Sequence, residues 1–302
     1  MQGKVVVVGS LNMDLIVRAP RLPRGGETLT GHDFSTAAGG KGANQAVAAA
    51  RLGAQVAMIG CVGADAYGAR LRTGLISEGI DCSAVSEIDG VPTGIASILV
   101  DDAGQNAIVI VAGGNGALTP EHLSAQAQLL ADAQVLIVQL EVPDATVEAA
   151  MKLGREAGCI VILNPAPVAG PLPAHWYDLA DYLIPNESEA AALTGSPVSS
   201  PQSALPAARS LLQAGARRVL ITLGAQGVLY ADAERHAHFA VAPVAAVDTT
   251  AAGDTFVGGF AAALAAGQPL EAAIALGQQA AALAVTRPGA QPSIPYRHEL
   301  PV

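Results

Sequence analysis

Short apolar runs that end in polar or glycine-rich turns recur along the sequence, and they constrain the fold more than any other feature. Val5–Val8, which ends at Gly9, is such a run, and Ile160–Leu163 is another. A continuous apolar run of this kind is typical of a strand buried on both faces of a parallel sheet. Because predicted helices alternate with these runs, the sequence predicts an α/β fold with a mostly parallel central sheet.

The pattern of apolar residues and turn signals predicts the individual elements. The predicted strands are Val5–Val8, Val56–Val62, Thr93–Val100, Asn106–Val111, Val135–Leu140, Ile160–Leu163, Tyr182–Ile184, Arg218–Thr222 and Val228–Ala231. The predicted helices are Ala46–Leu52, Tyr67–Glu78, Leu118–Ala131, Asp144–Ala157, Ala190–Leu193, Pro206–Ala214 and Thr255–Ala266.

A loop of small residues, 247–253, leads directly into the alanine-rich helix that is predicted from Thr255. Backbone N–H groups at a helix start point at one spot, and the helix dipole adds partial positive charge there. Phosphate is the usual occupant of such an anion site. Asp254 lies at the same place, where its carboxylate would repel phosphate but could accept a proton from an attacking hydroxyl. An equally weighted alternative is that Asp254 is an ordinary helix N-cap.

Polar side chains also follow the predicted strands. Asn12 and Asp14 are two residues apart, so on an extended chain they share a face and could grip vicinal hydroxyl groups. Glu141 follows the predicted strand Val135–Leu140, where ligands of open α/β sheets gather. The ordinary alternatives are a polar turn for Asn12 and Asp14 and a loop acid for Glu141. Because the polar clusters follow strands, a single active cleft at one sheet edge is predicted.

The segment Gly39–Gln45 is a second place where a ligand can approach the backbone closely, since its glycines lead into a helix. It is not a P-loop, because Gly42 follows Lys41 where that motif requires Ser or Thr. The alternative for Lys41 is a solvated loop charge. Gly9 does not begin a Gly-x-Gly-x-x-Gly loop either, which argues against a dehydrogenase.

Two segments are predicted to lie outside the central sheet. Residues 18–38 are rich in proline, glycine, threonine and charge, which is typical of a flap. The strands Thr93–Val100 and Asn106–Val111 are joined by a turn and are predicted to form an antiparallel hairpin. The sequence has no internal repeat or linker, so we expect one domain, 1–302, with lid segments at about 12–38 and 93–112.

Composition excludes several classes of protein. The formal net charge of −10 argues against a nucleic-acid-binding protein, which needs a basic face. The apolar region 256–285 is interrupted at Gly267, so two buried helices are expected and no membrane span. The cysteines, Cys61, Cys82 and Cys159, fit neither a zinc motif nor a closed disulfide framework, so a cytoplasmic location is expected. His236 and His238 have no third ligand nearby, which disfavours a metal site there.

Six sequence motifs, taken in chain order, resemble those of the PfkB family of carbohydrate kinases, and they cover nearly the entire chain. The motifs span residues 9–14, 39–45, 164–167, 186–189, 222–227 and 247–260, and the segment 284–293 resembles that family as well. The resemblance implies a three-layer α/β/α sandwich with a mostly parallel central sheet. It also implies a small β-sheet lid that closes on the sugar and forms the contact of a homodimer.

The resemblance further implies roles for individual residues. The sugar-binding residues would be Asn12, Asp14, Gly40, Lys41, Gly42, Asn44, Glu141 and Asp254. Asp254 would be the catalytic base, beside an anion hole formed by Ala251, Ala252 and Gly253. The residues near ATP and its Mg²⁺ would be Asn186, Glu189, Thr222, Gly224, Gly227, Gly253 and Gln278. An activating K⁺ would be enclosed by Asp248, Thr250, Ala284, Arg287, Gly289 and Ser293, several of them through main-chain oxygens.

The activity implied by this resemblance is ATP-dependent phosphorylation of D-ribose at O5, which yields D-ribose 5-phosphate and ADP. Alternatives remain open at this point. A kinase of the same family could act on deoxyribose, a nucleoside or a keto-sugar acid. A sugar-binding regulator without catalysis is a further alternative, although a base at an anion hole has no use in a pure sensor.

Overall fold

The computed structural model of the protein describes residues 3–168 and 170–301, which form two β-sheets and the helices packed on them. The strands are β1 Lys4–Val8, β2 Asn12–Ala19, β3 Asp33–Gly39, β4 Gln55–Gly63, β5 Asp81–Ile88, β6 Gly94–Asp101, β7 Asn106–Val111, β8 Val135–Val138, β9 Ile160–Leu163, β10 Tyr182–Leu183, β11 Arg218–Thr222, β12 Val228–Asp232 and β13 His236–Phe239. The α-helices are α1 Lys41–Arg51, α2 Ala66–Ser77, α3 Pro120–Ser124, α4 Ala127–Ala131, α5 Asp144–Glu156, α6 Glu187–Thr194, α7 Pro201–Gln213, α8 Ala252–Ala265 and α9 Leu270–Ala284.

The larger sheet has nine strands within the described residues, in the order β13-β12-β11-β10-β9-β8-β1-β4-β5. The strands from β11 to β5 are parallel, whereas β12 and β13 are antiparallel to their neighbours. Strand β1 lies between β8 and β4, and Val5–Val8 have no solvent exposure. The prediction of a mostly parallel sheet with β1 buried on both faces is therefore confirmed.

Helices cover both faces of this sheet. Val6 and Val8 pack into one hydrophobic cluster with residues of α3 to α7. Val5 and Val7 pack into the other, with residues of α1, α2, α8 and α9. Because alternate side chains of a strand point to opposite faces, one apolar strand serves both clusters. The result is the expected three-layer α/β/α sandwich.

The smaller sheet has the order β3-β2-β6-β7. Its outer pairs are antiparallel, whereas β2 and β6 are parallel. These strands fall within the segments that the sequence predicts for a lid, and β6 and β7 form the predicted hairpin. That this sheet acts as a lid on a single domain remains a prediction.

Several element boundaries differ from the predicted ones. Helix α7 begins at Pro201 after the N-cap Ser200, so Pro206 lies inside the helix instead of starting it. The predicted helix Leu118–Ala131 is divided into α3 and α4, because Gln126 leaves the helical conformation. Helix α1 begins at Lys41 and not at Ala46, since Gly42 lies within the helix and Gly40 is its N-cap. Strands β2, β3 and β5 are not in the predicted set.

Helices α1 and α8 approach each other closely at Gly258. A methyl group at this position would collide with Cβ of Ala48 and lie 2.7 Å from the carbonyl oxygen of Gln45. The contact therefore depends on the absence of a side chain, and it sets the distance between the N-terminal halves of the two helices.

We expect Gly258→Ala to lower the free energy of unfolding by about 1–3 kcal/mol, because overpacking forces the helices apart. The matched control is Gly74→Ala in α2, where the added methyl group meets nothing within 4 Å. That control should raise stability by about 0.5–1 kcal/mol, the usual gain for alanine over glycine in a helix. Urea unfolding of both variants measures the difference, and equal effects would contradict the close packing.

Candidate active site

The carboxyl ends of the central parallel strands meet at one edge of the sheet, and polar residues follow each of them. Gln139 and Glu141 follow β8, Asn164 follows β9, and Asn186 follows β10. A cavity of about 180 Å³ lies there. It is lined by Lys41, Asn164, Ala166, Ile184, Asn186, Glu189, Thr222, Thr249, Ala251, Ala252, Gly253, Asp254 and Val257. The structure therefore brings residues from distant parts of the chain to one cleft.

The N-terminus of α8 forms one wall of this cleft. Its N-cap is Ala251, which has the left-handed φ of 57°, so the alternative that Asp254 is the N-cap is wrong. Such a conformation costs about 1–3 kcal/mol for a residue with a side chain, and strain of this kind concentrates at functional sites. The Cα of Gly253 faces open space, since an added methyl group would meet nothing within 4 Å. The N–H of Gly253 is thus accessible to an anion, whereas the N–H of Ala252 also donates to the carbonyl of Thr249 at 3.2 Å.

The carboxylate of Asp254 is held by two amides from α1. Asn44 donates from Nδ2 to Oδ2 at 3.0 Å, and Gln45 donates from Nε2 to Oδ1 at 2.9 Å. Asp254 is only 7% exposed. On the same helix, Oδ1 of Asn44 is buried and has no hydrogen-bond partner within residues 3–168 and 170–301. A hydroxyl group that donated to this oxygen would satisfy it.

Lys41 lies among three carboxylates at the start of α1. Burial is the largest influence on its pKa and lowers it, but the charges of Asp254, Glu141 and Glu189 together raise the pKa above its ordinary value. The ammonium group therefore stays charged inside the cleft. The alternative of a solvated loop charge is wrong, because Lys41 is half-buried and lines the cavity.

Asn12 and Asp14 lie on strand β2, and neither is among the described residues that line the cavity. Nδ2 of Asn115 donates to Oδ1 of Asn12 at 2.7 Å. Gly39, on the neighbouring strand, leaves room for Asp14, because a methyl group there would collide with its carboxylate. Burial, followed by the charge of Glu141, raises the pKa of Asp14 to about 7.

Glu141 ties the loop after β8 to the start of α1. Its Oε2 accepts hydrogen bonds from the hydroxyl of Ser10 and, at 3.1 Å, from the backbone N–H of Lys41. The hydroxyl of Ser10 also accepts a bond from the N–H of Gly42 at 3.3 Å. Gly40 has a φ of 91°, and a methyl group on it would lie 2.8 Å from the backbone nitrogen of Asn12. Glycine is therefore required where this loop turns against β2.

A second cavity, of about 300 Å³, adjoins the first and shares Thr222, Thr249, Ala252 and Gly253 with it. Its walls are mostly apolar and include Val228, Val241, Ala242, Pro243, Val244, Phe256 and Val285. The predicted nucleotide residues Gly224, Gly227 and Gln278 also line it. An apolar slot beside an anion site suits a flat base with phosphates attached.

Sequence reasoning assigned no role to residues 241–246, which form one wall of this slot. The segment is an uninterrupted run of small apolar residues, which carries no chemical signature. Nε2 of Gln278 donates to the carbonyl of Phe239 at 2.7 Å, so one end of that amide is engaged by the protein.

Asn186 and Glu189 form a capping box at the start of α6. Oδ1 of Asn186 accepts from the N–H of Glu189 at 2.8 Å, and the Glu189 carboxylate accepts from the N–H and Nδ2 of Asn186 at 2.8 and 2.9 Å. Burial raises the pKa of Glu189. Both residues line the first cavity, so they cap the helix and face the cleft at once.

The predicted cation residues come from two adjoining segments. Oδ1 of Asp248 accepts from the N–H and hydroxyl of Thr250, at 2.9 and 2.6 Å, and Oδ2 accepts from the N–H of Gly289 at 2.8 Å. Burial is the largest influence on Asp248 and raises its pKa, but these hydrogen bonds prevail and lower it. Ser293 is buried, and its hydroxyl donates to the carbonyl of Ala290. The guanidinium of Arg287 pairs with Glu299 at 2.7 Å, outside this cluster.

The histidine and cysteine side chains outside the cleft do not form a second site in the described part of the chain. Within residues 3–168 and 170–301, no group of three or more His, Cys, Asp and Glu side chains is arranged to hold a metal. His238 contacts the carbonyl of Gln226 at 2.6 Å. Cys61, Cys82 and Cys159 are buried free thiols. No helix in the described ranges is both long and apolar enough to cross a membrane.

Comparisons with known proteins agree with this geometry. The pfkB family carbohydrate kinase model matches residues 2–297. The chain is 43% identical to a ribokinase of Haemophilus influenzae over 99% of this chain and 97% of the relative. It is 38% identical to a deoxyribokinase of Salmonella typhi, over 96% and 95%. A solved structure of Arabidopsis thaliana ribokinase complexed with ribose and ATP superposes with a TM-score of 0.93, at 35% identity and over 99% and 97% of the two chains.

The raised pKa of Asp14 predicts how stability changes with pH in the free protein. A carboxyl group whose pKa rises on folding contributes stability at low pH and loses it as the pH rises through its folded value, about 7. Asp14→Asn should therefore gain in Tm relative to the wild type between pH 5 and pH 8, by about 2 °C or more. The exposed Asp89→Asn is the control for a lost surface charge. An identical pH dependence of Tm in wild type and Asp14→Asn would contradict this account.

Proposed function

Because the chain belongs to the pfkB family of carbohydrate kinases, we propose that it transfers the terminal phosphoryl group of ATP to O5 of D-ribose. The products are D-ribose 5-phosphate and ADP. One observation carries the proposal: a buried carboxylate, Asp254, stands in the first turn of α8 beside Lys41, in a cavity that adjoins an apolar slot. Phosphoryl transfer from a nucleotide to an alcohol requires a carboxylate that can accept a proton, an anion site and an adjoining slot that fits a nucleobase.

The sugar lies between β2 and the start of α1 in this proposal. Asn12 and Asp14 offer an amide and a carboxylate on adjacent positions of one face, and Oδ1 of Asn44 is buried and unpaired in the described part of the chain. Glu141 and the backbone at Gly40 and Gly42 complete the pocket, whose mixture of donors and acceptors suits vicinal hydroxyl groups. The ribose and ATP named in the Arabidopsis thaliana structure support this choice of substrates.

Catalysis in this proposal consists of proton removal and charge stabilisation. Asp254 accepts the proton of the primary hydroxyl, because its carboxylate is held in place and aimed into the cleft by Asn44. The N–H groups of Ala252 and Gly253 and the helix dipole of α8 stabilise negative charge on the phosphoryl oxygens. The ammonium of Lys41 adds positive charge at the same point. Closure of the lid over the sugar excludes water, so that the sugar hydroxyl attacks instead.

The nucleotide extends from the apolar slot to the anion site. Thr222, Gly224, Gly227 and Gln278 line the slot, and Thr249, Ala252 and Gly253 belong to both cavities. A nucleotide with its base in the slot therefore has its terminal phosphate at the first turn of α8.

A divalent cation, Mg²⁺, fits the side of the cleft where Glu189 and Asn186 lie. Their oxygens are the ligand type that Mg²⁺ prefers, and the geometry leaves room for the water ligands this ion usually keeps. When bound with ATP, Mg²⁺ neutralises charge on the phosphates. Asn186 and Glu189 hold each other in a fixed orientation through their capping box, so they present preorganised oxygens to the cleft.

The segments 248–250 and 284–293 fit a monovalent cation such as K⁺. Hydrogen bonds keep the pKa of Asp248 low, and the N–H of Gly289 holds its carboxylate beside the C-terminal end of α9, which ends at Ala284. The carbonyl of Ala284 accepts from the N–H of Arg287 at 3.0 Å. A carbonyl oxygen has two lone pairs, so it can accept this bond and still be a ligand for a hard cation. Thr250, Arg287, Gly289 and Ser293 complete the proposed set, with Arg287 contributing its main chain. When bound, the cation supplies positive charge next to the anion hole.

The lid also forms the contact of a homodimer in this proposal. Strand β7 is an edge strand that is exposed along its whole length. Ile108 and Val109 on it, and Phe34 on β3, are 52%, 65% and 61% exposed. An apolar edge of this kind is a liability unless another chain covers it.

A second candidate substrate is 2-deoxyribose, which the identity to the Salmonella typhi deoxyribokinase favours. The two sugars differ only at the 2-hydroxyl group, so the choice depends on whether the pocket donates to or accepts from that group. A non-catalytic sugar-binding regulator would bind ribose and release no ADP in the presence of Mg²⁺ and K⁺.

Asp254→Asn tests the proposed catalytic base. We expect kcat to fall by about a hundred-fold or more, because the amide cannot accept the hydroxyl proton, while the Kd for ribose stays within about three-fold. ADP release gives the rate, and calorimetry with ribose gives the binding. The exposed Asp89→Asn should have wild-type kcat. Near-normal turnover in Asp254→Asn would remove this residue from the mechanism.

A panel of sugars, measured by ADP release with and without K⁺, tests the substrate and the cation site together. Ribose should exceed 2-deoxyribose in kcat/KM by about ten-fold or more, because the missing hydroxyl leaves buried polar groups unpaired. K⁺ should increase the rate, and Asp248→Asn should lose most of that response. Preference for 2-deoxyribose would establish the second candidate, and an equal K⁺ response in Asp248→Asn would exclude the proposed cation site.

A further inference from the structure

A continuous chain of buried amides lies behind the carboxylate of Asp254. Nε2 of Gln45 lies 2.9 Å from Oδ1 of Asp254 and 3.0 Å from Oδ1 of Asn164. Oε1 of Gln45 accepts a hydrogen bond of 2.7 Å from Nε2 of Gln139. Asn164 in turn donates from Nδ2 to the carbonyl of Ile184 at 2.9 Å. Gln45 and Gln139 have no solvent exposure.

The orientation of each amide in this chain follows from its neighbours. The carbonyl of Ile184 can only accept, so Asn164 must direct its nitrogen there and its oxygen toward Gln45. Gln45 then faces two oxygens, those of Asn164 and Asp254, and must direct its nitrogen toward both. A reversed Gln45 amide would place its oxygen against both acceptors. The backbone at residue 184 thus fixes which atom meets the carboxylate.

Gln139 holds the other end of the Gln45 amide. Its nitrogen donates to Oε1 of Gln45, and it has room to do so because residue 9 is a glycine. A methyl group on Gly9 would collide with the Gln139 side chain. Oε1 of Gln139 is buried without a partner in the described part of the chain, which is an unfavourable arrangement for a core residue.

Packing alone does not account for Gln45. An apolar side chain of similar length would fill the same space without the desolvation penalty of a buried amide. The amide supplies a directed N–H bond to Oδ1 of Asp254. Asn44 donates to Oδ2, and Asp254 lines the cavity, so each carboxylate oxygen is held by one amide at the wall of the cleft.

We propose that Gln45 is a positioning residue that orients the Asp254 carboxylate toward the sugar hydroxyl, with Asn164 and Gln139 holding the Gln45 amide in place. This inference rests on the proposed function, because it gives Asp254 the role of proton acceptor. Gln45 does not line the cleft in the described residues, so it acts through Asp254 and not on the substrate. Loss of its N–H would let the carboxylate rotate away from the orientation that Asn44 and Gln45 together impose.

The test is a double-mutant cycle of Gln45→Met and Asp254→Asn, measured as kcat and ribose KM by ADP release. Gln45→Met alone should lower kcat by about ten-fold to a hundred-fold, the usual effect of a misplaced catalytic group, with ribose KM within about three-fold. In the Asp254→Asn background the same substitution should change kcat by less than about three-fold, because the two residues act as a unit.

The control for loss of a buried hydrogen bond elsewhere is Thr146→Val. Thr146 is fully buried, its hydroxyl donates to the carbonyl of Leu118 at 2.6 Å, and it is not among the described residues that line the cavity. This variant should lose Tm while keeping the wild-type kcat and ribose KM. Should Gln45→Met fail to fold, Gln139→Met replaces it in the cycle, with an expected loss of about three-fold in kcat that disappears in the Asp254→Asn background.

The outcomes separate this inference from the proposed function. A wild-type kcat in Gln45→Met, or a loss of kcat that multiplies with that of Asp254→Asn, would overturn the positioning role while the kinase assignment stands. High turnover of Asp254→Asn itself would remove the proton-acceptor role on which the inference rests, whereas a wild-type protein that releases no ADP with any sugar would overturn the proposed function. A fall in kcat in Gln45→Met that vanishes beside Asp254→Asn supports both.

Discussion

The close contact of helices α1 and α8 is the constraint on which the rest of the site depends. Gly258 has no side chain where α8 meets Ala48 and the carbonyl of Gln45, so the helices can approach closely enough for side-chain hydrogen bonds. Asn44 and Gln45 reach Asp254 only because of this approach. A small residue in the core thereby brings the first turn of α8, with Asp254, next to α1, which begins at Lys41.

The parallel sheet brings the remaining residues of the site to one place. Residues that follow β1, β8, β9 and β10 arrive at one edge, because parallel strands share the position of their carboxyl ends. The same edge faces the small sheet, whose strand β2 continues directly from β1. In the proposed function, phosphate is bound by helix N–H groups and one ammonium, Lys41, and not by a basic surface. Phosphate binding without a basic surface is consistent with the formal net charge of −10.

Most of the fold could be predicted, because the strands of a parallel sheet are apolar on both faces. The uninterrupted apolar run Val5–Val8 has this pattern. The cleft could also be predicted from local sequence, because Asp254 and Lys41 each lie where a loop of small residues leads into a helix. Strand β5 and the true start of α7 could not be predicted, since their residues have mixed polarity and Pro206 is an atypical interior residue. Gln45 and Gln139 were missed because their role comes from contacts 209 and 94 residues apart along the chain, which no local pattern reveals.

The central claim is that sugar, carboxylate and phosphate converge at the first turn of α8. A crystal structure of the protein with D-ribose, Mg²⁺ and a non-hydrolysable ATP analogue measures this most directly. The account predicts O5 of ribose within about 3 Å of an Asp254 oxygen, the reach of a general base, with the terminal phosphate against the N–H groups of Ala252 and Gly253. A sugar bound with its primary hydroxyl directed away from Asp254, or a terminal phosphate outside the α8 N-terminus, would contradict it.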